Sequence, residues 1–394
     1  MDKVEIFKLI DKLFGTPLCF LLGIIDKPFK RKLPPSADIK KILVIKLVAI
    51  GDLVVALPAL RALKQGFPHA HLTLMTTPRV REVVEGCPYL DEIIYYDILG
   101  KDKGISGLIK LIHTLKTKKF DLALELDHYY RITSLITYLS GIKNRAGFDL
   151  PGQGRRGLVT IKSPYLINKH EVEAFLEMAK TVGVGDASSE LVPIWTSKED
   201  ERDIDSFFEQ NKIQPDDFVV AIHPGTGPSA TCRRWSPERF ACLADWLIKE
   251  YKARVIFTGA PSEVELVNSI LAFMQEKPIV AAGKTSLKQL AEIALRCGLF
   301  ISVDTGPLHV AAAMGTRVIG LYGPNIPSKW GPYGKGHLTV YKQLPCSPCT
   351  KQYLGQVSRC QNPICMEQIT VEDVKAQVDR LRTHLKVLTT LGFH

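Results

Sequence analysis

Four stretches of the sequence carry side chains whose types and spacing could do chemistry. Asp304, Thr305 and Gly306 follow a short apolar run of strand composition, Leu299–Val303, and precede Pro307 and the helix formers Leu308–Met314. Proline suits the first turn of a helix, where a missing N–H costs nothing. The free N–H groups of such a helix start, with the Thr305 hydroxyl, make a place for an anion, phosphate above all. A plain N-cap at Asp304 or Thr305 is the other reading of the same residues. Gly51-Asp52 likewise follows an apolar run, Lys41–Leu47, which holds Lys46. A lone carboxylate there can act as a general base, or cap the helix that starts at Leu53. Thr226, Gly227, Arg233 and Arg234 lie in a Gly/Arg-rich turn after the apolar run Phe218–His223. Two guanidinium forks in a flexible turn can hold the charge of a phosphate group.

The fourth stretch is Cys346-x2-Cys349-x10-Cys360-x4-Cys365, four of the nine cysteines, in a segment rich in Pro, Ser and Gln. The spacing is typical of a tetrahedral thiolate site, with free thiols as the alternative. It does not separate zinc from iron. Cys19, Cys87, Cys232, Cys242 and Cys297 read as scattered core or loop residues.

The elements that must position these residues alternate strand and helix roughly every 25 to 30 residues, which argues for a mostly parallel, doubly wound sheet. After Lys41–Leu47, strands are expected at His71–Thr76, Glu92–Tyr96, Asp121–Leu126 and Arg145–Phe148. Helices are expected at Leu53–Gly66 (kinked or restarted near Pro58), Val80–Glu85, Ile105–Lys116, Arg131–Leu139 and Lys169–Gly183, and Gly152–Gly157 as a loop. A boundary falls near Ser197. The alternation then restarts, with helices at Glu199–Gln210, Pro237–Tyr251, Glu263–Met274 and Leu287–Ala294. Its strands are Phe218–His223, Arg254–Thr258, Ile279–Ala281, Leu299–Val303 and Arg317–Tyr322. A final helix, Val371–Leu388, is long enough to cross back onto the first half.

Composition bounds the answer. The chain has 394 residues, 46% hydrophobic and 23% charged, which is ordinary globular usage sufficient for two cores. Its formal charge of +10 points to an anionic partner. No nucleic-acid motif and no aromatic–basic interleaving is present, which sets nucleic acid aside. The first forty residues stand apart. Met1–Leu13 carries a helix-like apolar stripe, and Phe14–Ile25 is mostly apolar but too short to span a bilayer. Lys27, Lys30, Arg31 and Lys32 follow, then a linker at Pro34-Pro35-Ser36. An apolar segment beside a basic cluster suits an anionic membrane surface. A helix packed on the protein's own surface is the other reading.

The ordered motifs ILVIKLVAIGDLVVALPALRALKQGFP, AIHPGTG…RRWSPERFACLADWL, FTGAPSE and SVDTGPLHVAAAMGTRVIGLYGP resemble glycosyltransferase family 9, the heptosyltransferases, over about residues 41–390. The resemblance implies an α/β fold of two Rossmann-like domains facing a cleft (the GT-B arrangement). The expected divisions are an amphipathic segment and linker at 1–39, an acceptor-side domain at 40–197 and a donor-binding domain at 198–340. A four-cysteine finger at 341–370 and a C-terminal helix at 371–394 follow. It implies an inverting transferase that moves heptose from a nucleotide sugar, ADP-heptose, to a lipopolysaccharide-core or similar glycolipid acceptor, with no metal in catalysis. Asp52 matches the family's catalytic aspartate, and Arg233 its phosphate-binding basic residue, usually Lys, with Arg234 as the alternative. Asp304, Thr305, Gly306 and His309 match the diphosphate turn, Thr226 belongs to the donor loop, and Glu263 stands where a ribose contact is expected. For Glu263, a first-turn helix acid is the alternative. Some family members carry a comparable cysteine finger that holds iron, so zinc or iron on Cys346, Cys349, Cys360 and Cys365 is expected to be structural. In the acceptor region, Asp127–Arg156, the residues Arg131, Lys143, Arg145, Arg155 and Arg156 could contact an anionic acceptor or be solvated surface. The implied address is cytoplasmic, peripheral on the inner face of the membrane. A non-catalytic nucleotide-sugar-binding member, or a transferase for another sugar or a protein acceptor, is the competing reading.

Overall fold

The computed structural model describes residues 3–25, 35–351 and 354–390. The basic cluster Lys27, Lys30, Arg31 and Lys32, and Pro34 of the expected linker, lie outside the described residues. The chain divides into two compact units, Met1–Glu190 with Gln352–Gln356, and Leu191–Lys351 with Val357–His394.

The first unit begins with α1 (Lys3–Ile10) and α2 (Thr16–Ile25), which run into each other through one wide helical turn, Asp11–Gly15. Pro17 cannot donate to the Leu13 carbonyl, and a widened turn accommodates that missing bond. The sheet follows as β1 (Lys41–Ile45), α3 (Ile50–Gly66), β2 (His71–Thr76), α4 (Arg81–Val84), β3 (Glu92–Tyr95) and α5 (Gly104–Lys118). It continues with β4 (Leu122–Glu125), α6 (Arg131–Leu139), β5 (Asn144–Phe148), β6 (Ile161–Ser163) and α7 (Glu171–Thr181). All pairings are parallel, in the order β3-β2-β1-β4-β5-β6. Strands buried on both faces read as unbroken apolar runs, which is why β1, β2 and β4 were visible in the sequence. Leu43 and Ile45 of β1 pack with Leu111 and Leu115 of α5 and Ile136 of α6. α3 runs unbroken through Pro58 and starts three residues earlier than the expected Leu53, so Asp52 lies inside its first turn.

The second unit repeats the plan with its own core. It runs α8 (Lys198–Gln210), β7 (Val219–His223), α9 (Pro237–Tyr251), β8 (Arg254–Phe257), α10 (Val264–Leu271), β9 (Ile279–Val280) and α11 (Leu287–Leu295). Then come β10 (Leu299–Val303), α12 (Gly306–Ala313), β11 (Val318–Tyr322), α13 (Pro327–Trp330), β12 (Leu338–Tyr341), α14 (Ile364–Glu367) and α15 (Val371–Thr390). The parallel order is β12-β11-β10-β7-β8-β9. The final helix does not leave this unit for the first half, as its length had suggested. Val374 and Val378 of α15 are fully buried in the second unit's core, α15 packs on α9, and Trp235 Nε1 donates to the Ile369 carbonyl at 2.8 Å. Its apolar stripe from Val371 to Leu381 is therefore buried locally.

Candidate active site

Each unit gathers one set of polar residues at the carboxyl ends of its central strands, where the strand order reverses. In the first unit Lys46, at the end of β1, is 2% exposed. Its ammonium lies 3.1 Å from Asp52 Oδ1 and 3.0 Å from Asp127 Oδ1. Asp127, just past β4, is fixed from its other side, where Oδ2 accepts the Leu47 N–H at 2.8 Å. One buried ammonium thus serves two carboxylates with different freedom: Asp127 is enclosed, while the Asp52 side chain keeps 18% of its surface open. Burial pushes the Asp52 pKa above the usual aspartate value, and the Lys46 charge opposes it. For Lys46, burial works against the charge, but Asp127 and then Asp52 outweigh it and hold the pKa above the ordinary lysine value. Beside this group His128 contacts Glu171 within the core, stacked on Phe148 and Phe175, and Tyr165 donates to Glu171 Oε2 at 2.9 Å. The result is an oriented carboxylate with one oxygen pinned, which suits proton abstraction.

In the second unit Asp304 ends β10 and does not cap α12. Its Oδ2 lies 3.0 Å from Arg233 Nη1 and accepts from Asn325 Nδ2 at 3.0 Å, and its carbonyl accepts from Arg233 at 3.3 Å. Thr305 is the N-cap residue and makes no side-chain cap bond, so its hydroxyl does not satisfy the leading N–H groups of α12. Gly306 opens the helix, and His309, one turn in, is buried edge-on to Trp330. Thr226 is buried in the turn after β7, donating to the Gly227 carbonyl at 3.1 Å. The Nε atoms of Arg233 and Arg234 are buried without a hydrogen-bond partner among the described residues. Orphaned buried cationic donors, with Arg233 held on Asp304 just before α12, suit an anionic ligand. Glu263 is buried and already committed: Oε1 accepts the Gly227 N–H at 3.1 Å and Oε2 the Ala260 N–H at 2.8 Å. It braces the loop that carries Thr226. Gly225 permits this, since a Cβ there would lie 2.1 Å from the Glu263 carboxyl carbon.

The acceptor-region cations divide in a way the sequence did not show. Arg131, Arg145 and Arg155 are buried and bonded to carbonyls, Arg131 to Gln153 and Tyr129, Arg145 to Leu158, and Arg155 to Asp127. They knit loops together and are not solvated surface, although Nε and Nη2 of Arg155 are buried without a hydrogen-bond partner among the described residues. Lys143 and Arg156 are exposed, Arg156 paired with Asp149. Of the four clustered cysteines, Cys365 is buried and Cys346, Cys349 and Cys360 are exposed. Burial pushes Cys365 up to about 11, with Cys349 and Cys346 near enough to add to it. Among the described residues no three Cys, His, Asp or Glu side chains are gathered as a ligand shell. Sequence reasoning passed over Asp127 and Asn325. Asp127 had the same signal as Asp304, a carboxylate just past an apolar strand, whereas Asn325 had none.

A sequence model of one family, glycosyltransferase family 9 (heptosyltransferase), matches residues 108–355. The chain belongs to this family. As a family 9 glycosyltransferase it is 27% identical over 355 residues to the lipopolysaccharide core heptosyltransferase OpsX of Haemophilus influenzae, covering 87% of this chain and 97% of that one. The crystal structure of the family 9 glycosyltransferase from Veillonella parvula superposes with a TM-score of 0.77 at 27% identity, covering 87% of this chain and 97% of the other. The structure of E. coli ADP-heptose lps heptosyltransferase II shares the fold, with a TM-score of 0.68 at 22% identity over 88% and 99% of the two chains. The two Rossmann-like units are those of the GT-B class. Among the described residues no helix is long and apolar enough to cross a membrane.

Proposed function

We propose that this enzyme transfers heptose from ADP-heptose, with inversion, to a lipopolysaccharide-core or similar glycolipid acceptor at the inner face of the cytoplasmic membrane. The names of its relatives support the sugar and the acceptor, and the orphaned donors of Arg233, held on Asp304 ahead of α12, and of its sequence neighbour Arg234 support a diphosphate donor. The observation that carries the reading is the pinned, edge-exposed Asp52. The acceptor hydroxyl attacks the anomeric carbon, its proton passes to Asp52, the bond from that carbon to the diphosphate oxygen breaks, and ADP departs. Arg233, Arg234, Thr305 and the N–H groups of α12 offset the charge on the leaving group. A diphosphate leaves well without added acid, so one carboxylate is enough. A non-catalytic nucleotide-sugar binder would need the donor loop but have no use for a base held by Lys46 and backed by Asp127.

For the four cysteines, spacing supports a structural zinc or iron ion, while the side chains as placed form no shell; no step of the transfer uses one. Asp52→Ala is expected to abolish transfer while leaving ADP affinity within about twofold, because the base acts only in the transition state. Turnover within about tenfold of wild type would remove Asp52 from the mechanism. In a thermal-stabilisation screen, ADP and ADP-sugars should raise the melting temperature more than other nucleotides.

A further inference from the structure

The N-terminal helical segment is two-sided, and its two sides make different demands. Its inner side is a stripe at four-residue spacing, Asp11, Gly15 and Cys19, followed by Gly23. The Asp11 carboxylate accepts the backbone N–H groups of Arg131 at 3.0 Å and Ile132 at 2.8 Å, capping α6 from another part of the chain. Gly15 lies against the Arg131 side chain and Gly23 against the backbone of Gly157, so closely that a Cβ at Gly23 would be 2.9 Å from Gly157 Cα. Cys19 is fully buried with Leu135 and Leu158. This side is a built joint, and the segment is part of the unit rather than a tether.

The outer side is apolar and uncovered. Ten of the eighteen exposed large apolar residues in the described chain fall between residues 6 and 25, with Phe14 and Ile25 at 69% and Phe20 at 65% exposed. α6 packs both on this segment and on α5, which itself exposes Ile105 and Ile109 between exposed Lys103 and Lys110. Asp11 is the single acid between residues 6 and 25, and it is turned inward, while Lys12 is exposed. The sequence from 26 to 32 adds one acid and four bases. An apolar face beside exposed Lys12, with Asp11 turned inward and four bases against one acid next in the sequence, is complementary to an anionic lipid surface.

We propose that residues 6–25 are a fixed platform by which the first unit lies on an anionic bilayer, the apolar face seated among the headgroups and Asp11 locking the platform to α6. This deepens the glycolipid reading and rests on it for its purpose: the platform's inner side braces Arg131 and the Gln153–Gly157 loop, whose Arg155 holds the Asp127 carbonyl behind Lys46. The unit that holds Asp52 would thereby be kept where a lipid-linked acceptor is.

The test uses the full chain, without donor or acceptor, in flotation with vesicles of phosphatidylcholine alone or mixed with phosphatidylglycerol. Binding to the mixed vesicles should exceed binding to neutral ones by about tenfold or more and fall with salt. Phe14→Asp/Phe20→Asp should lose it while keeping the wild-type melting temperature and ADP affinity; Lys12→Glu should weaken it. Should the double variant float as well as wild type, or wild type stay at the bottom with both vesicles, the platform is overturned. It is overturned equally if wild type is a dimer that Phe14→Asp/Phe20→Asp makes monomeric without any vesicle binding, which would assign the face to a second copy. Transfer to a delipidated acceptor with no vesicle binding would sink the platform alone. Vesicle binding with no transfer to any glycolipid would sink the acceptor reading alone.

Discussion

With Lys46 replaced by methionine, Asp52 would keep its burial and lose the charge that opposes it. Burial already sets its pKa above the usual aspartate value, so removing the ammonium raises it further. Since the base must be deprotonated, the acid limb of the kcat/KM profile should move to higher pH in Lys46→Met, and Lys46→Arg should move it far less. A pH–rate series on both variants reads this, and an unmoved limb in Lys46→Met would show that Lys46 does not act on the base. Arg234, whose Nε lacks a partner among the described residues, makes a separate case. Arg234→Ala should weaken ADP about tenfold or more by calorimetry with little change in melting temperature, because no intramolecular bond to that Nε is lost. Arg233→Ala should weaken ADP and also lower stability, since it strips a partner from the buried Asp304. At this scale the sequence showed the residues whose role follows from local order, Asp52 and Thr305-Gly306 at strand ends. It could not show partners set by tertiary contact. Asp127 lies 81 residues from Lys46 in the chain, and nothing around Asn325 announces Asp304. Arg145 and Arg155 read as acceptor contacts or solvated surface because burial offset by carbonyl contacts leaves no local pattern.

Among the elements, the loop after β7 is held by a side chain from another part of the chain. Glu263→Ala would release the N–H groups of Gly227 and Ala260 together and leave His223 without its nearest carboxylate. A loss of about 1–3 kcal/mol is expected, read as a lowered melting temperature, together with weaker ADP binding through the loosened loop. Unchanged stability would mean the brace is idle. The cysteine segment is tested by elemental analysis of protein purified without chelators. One zinc or iron per chain is the expected result, with Cys349→Ser lowering the melting temperature, and finding neither metal would remove the ion. Elements were legible where length and periodicity were sufficient. The long helices and double-buried strands matched within a few residues, while β6, three residues long, and the outermost strand β12 carried no readable run. Such edge strands owe their pairing to the sheet already formed, not to their own pattern.

At the scale of the whole molecule, the charge of +10 and the apolar N-terminus were both legible, and what they do was not. The sequence left membrane contact and self-packing as competitors; one side of the segment packs into the first unit, and the other is apolar and exposed. The division into two units has a consequence for how such enzymes diversify. Lys46, Asp52 and Asp127 all precede Glu190, and Thr226, Arg233, Arg234, Asp304 and Thr305 all follow Leu191. Each set is held by its own sheet and its own core, so neither depends on the other for its internal geometry. A crossover at the Glu190–Leu191 joint could therefore hand the chain a new second half, with its own set of polar residues, in one genetic event. Such a chimera would need Gln352–Gln356 carried over as a graft, because that short stretch belongs with the first unit.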